Sequence, residues 1–114
     1  NTTTPLGTPA TRELRFRRGQ VHAVLDPLWQ RADLCSAYDG VPNAVRRQIR
    51  SVARKRVYVW LGERMSLTAD DCHVGMFDLD RCAEALAVLQ EVTYPEIREW
   101  ARRREAAAEM AVAS

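Results

Sequence analysis

Apolar residues recur at helical spacing along most of the chain, beginning with a stripe near its N-terminal end. This first stripe consists of Leu14, Val21, Leu25 and Leu28. Thr8 followed by Pro9 is a favourable helix start, because the threonine oxygen can cap free amides and proline at the first position loses no hydrogen bond. Since Pro27 lacks the amide hydrogen that a helix interior uses, Asp26 and Pro27 predict a break or a sharp kink.

A second and longer helix is predicted from about Asn43 to Met65. It follows a loop over Ser36 to Pro42, where Asp39 and Gly40 favour turns. We expect a wide apolar face on this helix to be buried, comprising Val45, Ile49, Val52, Ala53, Trp60 and Leu61.

The last part of the chain predicts two more helices. Thr68 with Asp71 resembles a capping box for a short turn, and Asp78 or Asp80 then starts a third helix. Its apolar stripe contains Leu79, Cys82, Leu86 and Leu89. Pro95 can open a last helix in its first turn. That helix carries Ile97, Trp100 and the basic run Arg102 to Arg104.

No segment alternates apolar and polar residues over the length of a strand, and no internal repeat is visible. The predicted fold is therefore all-α, a compact bundle of four or five helices. We expect an extended N-terminal arm over residues 1–7 and a single helical domain over 8–105. The alanine-rich residues 106–114 predict a helical tail that frays.

The composition is that of a globular protein. With 46% hydrophobic and 28% charged residues, the chain is too apolar for a disordered tail and too charged for a membrane protein. Three cysteines cannot all pair internally, so we expect a soluble protein of the reducing cytoplasm. The chain opens with Asn1 instead of methionine, and we expect that preceding residues were removed or lie outside this sequence.

Charge is unevenly distributed, although the formal net charge is only +2. Residues 1–62 hold 11 basic and 4 acidic side chains, a net charge of +7. Residues 63–114 hold 6 basic and 11 acidic side chains, a net charge of −5. The overall charge therefore conceals a basic half and an acidic half of the chain.

The densest basic run lies between Val45 and Arg56 and contains no acid. Wound as a helix, it predicts a ridge suited to phosphates by its charge and by the forked guanidinium groups. The candidate nucleic-acid-binding residues are Arg46, Arg47, Arg50, Arg54, Lys55 and Tyr58. Further charge could come from Arg12, Arg15, Arg17 and Arg18. Alternatively, the ridge only solvates one helix face or pairs with the acidic half of the same chain.

A secondary candidate is the group His22, Asp26 and Trp29. A carboxylate four residues after a histidine can orient the imidazole for general acid/base chemistry. The alternative is a histidine at the edge of the apolar stripe that packs beside Trp29, and Pro27 could also pull Asp26 out of register. We favour this alternative.

The segment "DDCHVGMFDLDRC", residues 70–82, raises the question of a metal site. Zinc needs four nitrogen or sulfur ligands, here Cys72, His73 and Cys82 with His22 or Cys35. Neighbouring residues rarely bind the same ion, and no CxxC or HxxxH occurs. We therefore expect a corner that packs between helices, with His73 bonded to backbone, and no metal ligand in this chain. Catalytic motifs such as GxSxG and HExxH are also absent.

Three stretches together resemble a family of small bacterial and phage proteins, the zinc-finger-containing domain family, which has no established function. They are "TPLGTPATRELRFRRGQVHAVLDPLW", "RVYVWLGERM" and "CHVGMFDLDRC". The resemblance covers about Pro5 to Leu89 and implies a cysteine-rich zinc ribbon ahead of Pro5, whose cysteines this chain lacks. Zinc is therefore expected only if such a ribbon precedes Asn1. Positions that match the family are His22, Asp26, Trp29, Trp60, Cys72, His73, Phe77 and Asp78.

Three functions follow from these patterns. The leading hypothesis is a non-enzymatic helical domain that binds nucleic acid through the ridge at residues 46–56. The second is a protein-interaction module, either a phage-encoded modulator of a host protein or a homodimer. Aromatic anchors for such an interface would be Trp29, Trp60 or Trp100. The third and least favoured is a metal-dependent enzyme built on His22, Asp26, Cys72 and His73.

Overall fold

The structure, a computed structural model, describes residues 11–113, and this part of the chain folds into four α-helices without any strand. The helices are α1 (Arg12–Gln30), α2 (Asn43–Met65), α3 (Leu79–Leu89) and α4 (Tyr94–Ala113). Short 3₁₀ turns occupy the connections at Ala32–Leu34, Ser36–Tyr38 and Val74–Met76. The predicted all-α bundle is confirmed.

The bundle is organised around α2, which packs against each of the other three helices. All four helices contribute side chains to one core. Its largest fully buried members are Phe77, Leu25, Leu61, Leu89, Ile97, Val21, Val57 and Cys82. Cys82 therefore acts as a small apolar side chain on α3, as the spacing of its neighbours predicted.

The first helix runs further than expected at its C-terminal end. Within the described residues α1 is capped by Thr11, whose hydroxyl accepts the amide of Leu14 at 3.1 Å, and the expected start at Thr8 and Pro9 lies outside that range. Of the two alternatives predicted near Asp26, the break is wrong, because α1 continues through Pro27 to Gln30, and the sharp kink stays a prediction. Pro27 is exposed and near the helix end, where water can satisfy the carbonyl that it leaves without an amide partner.

The second helix has the predicted bounds, Asn43 to Met65. It ends in a Schellman motif, in which Ser66 adopts a left-handed conformation with φ of 57°. The amide of Leu67 returns to the carbonyl of Gly62 at 2.8 Å. This bond turns the following chain back against α2.

The predicted buried face of α2 is wrong in its first half. Val45 and Val52 are 38% and 40% exposed, and Ile49 is half-buried. The buried residues of α2 are Ala53, Val57, Trp60, Leu61, Gly62 and Met65. In the first half, arginines occupy the side that faces the rest of the bundle, because a buried carboxylate there provides them with a partner.

The last two helices begin as expected. The carboxylate of Asp78 accepts the amide of Arg81 at 2.8 Å and caps α3, although Leu79 is 43% exposed instead of buried. At α4, Glu96 accepts both the amide and the hydroxyl of Thr93, at 2.9 and 3.0 Å, and Pro95 lies in the first turn.

Beyond Ala101, every residue of α4 up to Ala113 is exposed. Since α4 extends to Ala113, residues 106–113 of the predicted tail are helical, and the fraying of this tail stays a prediction. The N-terminal arm predicted over residues 1–7 lies outside the described residues. No helix between residues 11 and 113 has the length and apolar character needed to cross a bilayer.

Candidate nucleic-acid interface

The basic run of α2 divides into cations that are bound by acceptors within the protein and cations that have no carboxylate partner in residues 11–113. Arg46 and Arg50 turn toward the bundle and converge on Asp33, whose side chain is 6% exposed. Arg46 donates to the Asp33 main-chain carbonyl at 2.7 Å and to that of Val41 at 3.2 Å. Arg50 pairs with the Asp33 carboxylate at 3.3 Å. Both guanidinium groups are therefore bound within the protein.

Arg56 is also occupied. Its guanidinium makes two bonds to the Glu105 carboxylate of α4, at 3.1 and 2.9 Å, and donates to the Tyr94 hydroxyl at 3.3 Å. These bonds lower the pKa of Glu105 and raise that of Arg56. Burial, with a hydrogen bond to Tyr38, raises the pKa of Tyr94 to about 12. The network joins α2 to α4.

The remaining cations of the run are Arg47, Arg54 and Lys55, which we call the exposed basic row. All three are exposed, and none lies within salt-bridge distance of a carboxylate belonging to residues 11–113. The Arg54 guanidinium lies 5.0 Å from the ring centre of Tyr58 and 5.7 Å from that of Trp29. Two aromatic rings thus hold Arg54 in place and leave its charge without a carboxylate.

A cleft of about 650 Å³ adjoins the exposed basic row. Its walls come from the second half of α2, from the chain that follows it, and from α4. The lining residues are Arg54, Lys55, Tyr58, Val59, Gly62, Glu63, Leu67, Thr68, Ala69, Cys72, His73 and Arg104. The lining includes three cations, from two helices, and a single carboxylate, that of Glu63.

The cleft exists because residues 67–72 return close to α2. A Cβ atom on Gly62 would lie 3.2 Å from the carbonyl oxygen of Leu67 and 3.8 Å from Sγ of Cys72, so glycine permits the approach. The Cys72 thiol is directed at the carbonyl of Tyr58, 3.7 Å away, and burial raises its pKa. A thiol in this setting stays protonated and contributes packing. Burial also raises the pKa of Tyr58, with Arg54 opposing the shift.

The cluster at His22 keeps its register despite Pro27. Nδ1 of His22 lies 3.3 Å from Oδ2 of Asp26, and Nε1 of Trp29 donates to Oδ1 of the same carboxylate at 3.3 Å. The His22 side chain is 46% exposed, so the pair lies at the surface beside Trp29. Through Trp29 the cluster supports Arg54, whereas His73 lies apart from it, in the lining of the cleft.

The residues of this chain do not form a zinc site. All its cysteines and histidines lie in the described range, and no group of three or more His, Cys, Asp or Glu side chains in that range could hold a metal ion. Cys72 and Cys82 are packed in the core. The predicted side-chain bond from His73 to backbone is not formed among residues 11–113; only its main chain is bonded, to Asp71 and Met76.

Two important residues were not singled out in the sequence. Asp33 has no pattern around it that marks it as a buried partner for α2. Arg104 belongs to a recognised basic run, but only the packing of α4 against α2 brings it to the cleft. Among the auxiliary arginines of α1, Arg18 is half-buried and donates to the Phe77 carbonyl at 2.9 Å, so it adds little to the surface charge.

Comparison with known families matches residues 1–92 to a zinc-finger-containing domain. No curated protein and no solved structure matches the chain. The matched range includes α2 and the 67–72 segment, whereas Arg104 lies beyond it.

Proposed function

The chain belongs to the family of zinc-finger-containing domains, and we propose that it binds nucleic acid through the phosphate backbone. The observation that carries the proposal is the exposed basic row. Arg47, Arg54 and Lys55 have no carboxylate partner in the described part of the chain, although Arg46, Arg50 and Arg56 beside them have acceptors. Cations left exposed on one side of a helix are suited to a polyanion.

The geometry favours positioning contacts over base readout. Guanidinium groups bind phosphate oxygens through paired N–H donors, and a lysine adds a point charge. Such contacts carry no sequence information, so we expect similar affinity for unrelated sequences. With about three phosphates neutralised, a plot of the logarithm of the association constant against the logarithm of salt concentration should have a slope of about −2.7 for a duplex and about −2 for a single strand.

The test is fluorescence anisotropy with a labelled duplex and a labelled single strand at about 50 mM and about 200 mM salt. Arg47→Glu/Arg54→Glu should weaken binding by at least about tenfold, because two phosphate contacts become repulsions. The matched control is Arg31→Glu/Arg103→Glu, which makes the same charge change at exposed positions outside the basic run of α2 and outside the lining of the cleft. An equal loss in both double variants, or no binding by wild type at low salt, would contradict the proposal.

A second candidate function, self-association, is favoured by the exposed side of α2 nearest α4. Val45, Val52 and Val59 recur every seven residues and are 38%, 40% and 45% exposed. Val52 and Val59 border a groove of about 340 Å³ between α2 and α4. A seven-residue apolar row is typical of helix pairs, and two copies can bring identical rows together about a two-fold axis.

Sedimentation velocity tests this second candidate. Wild type should show a concentration-dependent shift toward a dimer, and Val52→Glu should stay monomeric because a charge would be buried in the interface. Val112→Glu is a control on α4, at a residue that is 88% exposed and does not belong to the row of three valines. A wild-type monomer at every concentration would exclude self-association and leave nucleic-acid binding untouched.

A further inference from the structure

The exposed basic row and the cleft differ in shape, and this difference affects whether single-stranded or duplex nucleic acid can bind. The row follows the convex surface of a helix and can track any phosphate backbone. The cleft is concave, and its volume of about 650 Å³ is in the range of small-ligand sites. We infer that the cleft receives one unpaired nucleotide, so that the protein prefers single-stranded nucleic acid to duplex. The preference rests on the proposed function, because the row supplies the adjoining phosphate contacts.

The lining has the chemistry that a nucleotide requires. Lys55 on α2 and Arg104 on α4 place positive charge on two walls, where they can hold the phosphates on either side of a bound base. The intervening surface is apolar or aromatic, from Val59, Leu67 and Tyr58. A flat base can pack against such a surface without regard to its identity. Paired bases in a duplex would have to leave the stack before they could enter.

Side chains of the walls already contact one another without a ligand. The Arg54 guanidinium lies over the rings of Tyr58 and Trp29, and Trp29 is in turn bonded to Asp26. On the other side, the thiol of Cys72 packs against the Tyr58 carbonyl. A site whose side chains are already ordered loses less conformational freedom on binding.

In the lining, His73 is placed to contact a base edge. It is exposed, and its imidazole has no hydrogen-bond partner within residues 11–113. One ring nitrogen can donate and the other can accept, which suits the mixed edge of any base. His73→Ala should therefore weaken single-strand binding by a small factor, about two- to threefold, and leave duplex binding unchanged.

The decisive experiment fills the cleft without changing charge. Ala69 is exposed in the lining, so Ala69→Trp places an indole in the cleft, and Ala83→Trp makes the same change at an exposed position of α3 outside it. The probes are labelled oligothymidylate and a duplex of equal length, each about twenty nucleotides long. Wild type should bind the single strand about tenfold more tightly, Ala69→Trp should lose that advantage and keep duplex affinity, and Ala83→Trp should match wild type.

The outcomes separate this inference from the proposed function. Equal affinity for both probes, still lost in Arg47→Glu/Arg54→Glu, would overturn the cleft preference and keep the phosphate-binding function. Failure to bind either probe would overturn both. Circular dichroism verifies that Ala69→Trp is folded. Independently of any variant, photocrosslinks from a 4-thiothymidine in the strand should map to Tyr58 or to residues 67–73, and crosslinks confined to other elements would contradict the inference.

Discussion

Two neighbouring arginines of α2, Arg46 and Arg47, have opposite surroundings. Arg46 is 24% exposed and bonded to Asp33 and Val41, whereas Arg47 is exposed and has no carboxylate partner in residues 11–113. One step along an α-helix rotates the side-chain direction by about 100°. A basic run in a helix is therefore not a single surface, and its charge is shared between the protein's own acceptors and any external ligand.

The largest expected effect comes from removing the Asp33 carboxylate, the acceptor that Arg46 shares with Arg50. Asp33→Ala leaves Arg50 unpaired, whereas Arg46 keeps its bonds to the main-chain carbonyls at positions 33 and 41, and the free energy of unfolding should fall by about 2–3 kcal/mol. Urea denaturation measures the change. Asp39→Ala removes an exposed acid of the same connection and should cost less than about 0.5 kcal/mol. Equal stability of the two variants would mean that Asp33 does not anchor α2.

A second test compares the two neighbours directly. Arg46→Ala should lower the free energy of unfolding by about 1–2 kcal/mol, since it removes charged hydrogen bonds to carbonyl groups. Arg47→Ala should change stability by less than about 0.5 kcal/mol. In the anisotropy assay the order should reverse, with Arg47→Ala losing more affinity than Arg46→Ala. The contrast would be wrong if the same variant caused the larger loss both of stability and of nucleic-acid affinity.

The dependence of stability on pH tests whether the ion pair of Arg56 with Glu105 stabilises the fold. Bonds from Arg56 hold the pKa of Glu105 below its ordinary value of 4.5, so the ionised carboxylate favours the folded state. The gain is fully present above that ordinary pKa and is lost as the pH falls through the lowered one. Because the Glu105 side chain is 51% exposed, the effect should stay below about 1 kcal/mol.

The measurement for Glu105 is urea denaturation of wild type and Glu105→Gln across pH 3 to pH 7, about the range over which carboxylates titrate. The stability difference should be constant at neutral pH and shrink in the acidic part of the range. Glu109→Gln serves as a control at an exposed acid of the same helix. A difference that does not vary with pH would show that the pair with Arg56 contributes nothing.

The smallest expected effect concerns the shape of a cation. Arg54→Lys keeps the charge but loses the planar group that lies against Tyr58 and Trp29, which should cost about 0.5 kcal/mol of stability. Nucleic-acid affinity should fall about twofold, since a less ordered cation loses more freedom on binding. Lys55→Arg is the reverse change nearby and should leave both quantities within error. If Arg54→Lys lost as much nucleic-acid affinity as Arg54→Glu, bidentate phosphate contacts would dominate binding instead.

Local patterns predicted the helices well, because capping and periodicity depend on near neighbours. The bounds of α2 and the cap at Asp78 follow from such signals. Pro27 misled the prediction, since a proline in the exposed last turn removes only one bond from a helix that packing already holds. The wrong burial of Val45 and Val52 has a longer-range cause. Periodicity assumes that the apolar side faces inward, and Asp33 from another element reversed that preference for the first half of α2.

The candidate site was predicted in part for the same reason. The arginines of α2 could be named from the sequence, but which of them have partners depends on Asp33 and Glu105, which lie 13 or more residues away along the chain. The cleft depends on a close return of the chain and on α4. Neither leaves a repeating signal in the sequence. The sequence therefore predicted how many charged residues α2 carries, but it did not predict which of them remain exposed at the surface.

Position 62 gives the cleft an adjustable width. A methyl group there would meet the Leu67 carbonyl at 3.2 Å, and relief of that contact requires the facing wall to move outward by a few tenths of an ångström. Residues of increasing size would displace the wall further while every cation kept its place on α2 and α4. In the proposed nucleotide site, size selection and charge attraction are thus assigned to separate positions, because a substitution at position 62 changes the room in the cleft and leaves its three cations unchanged.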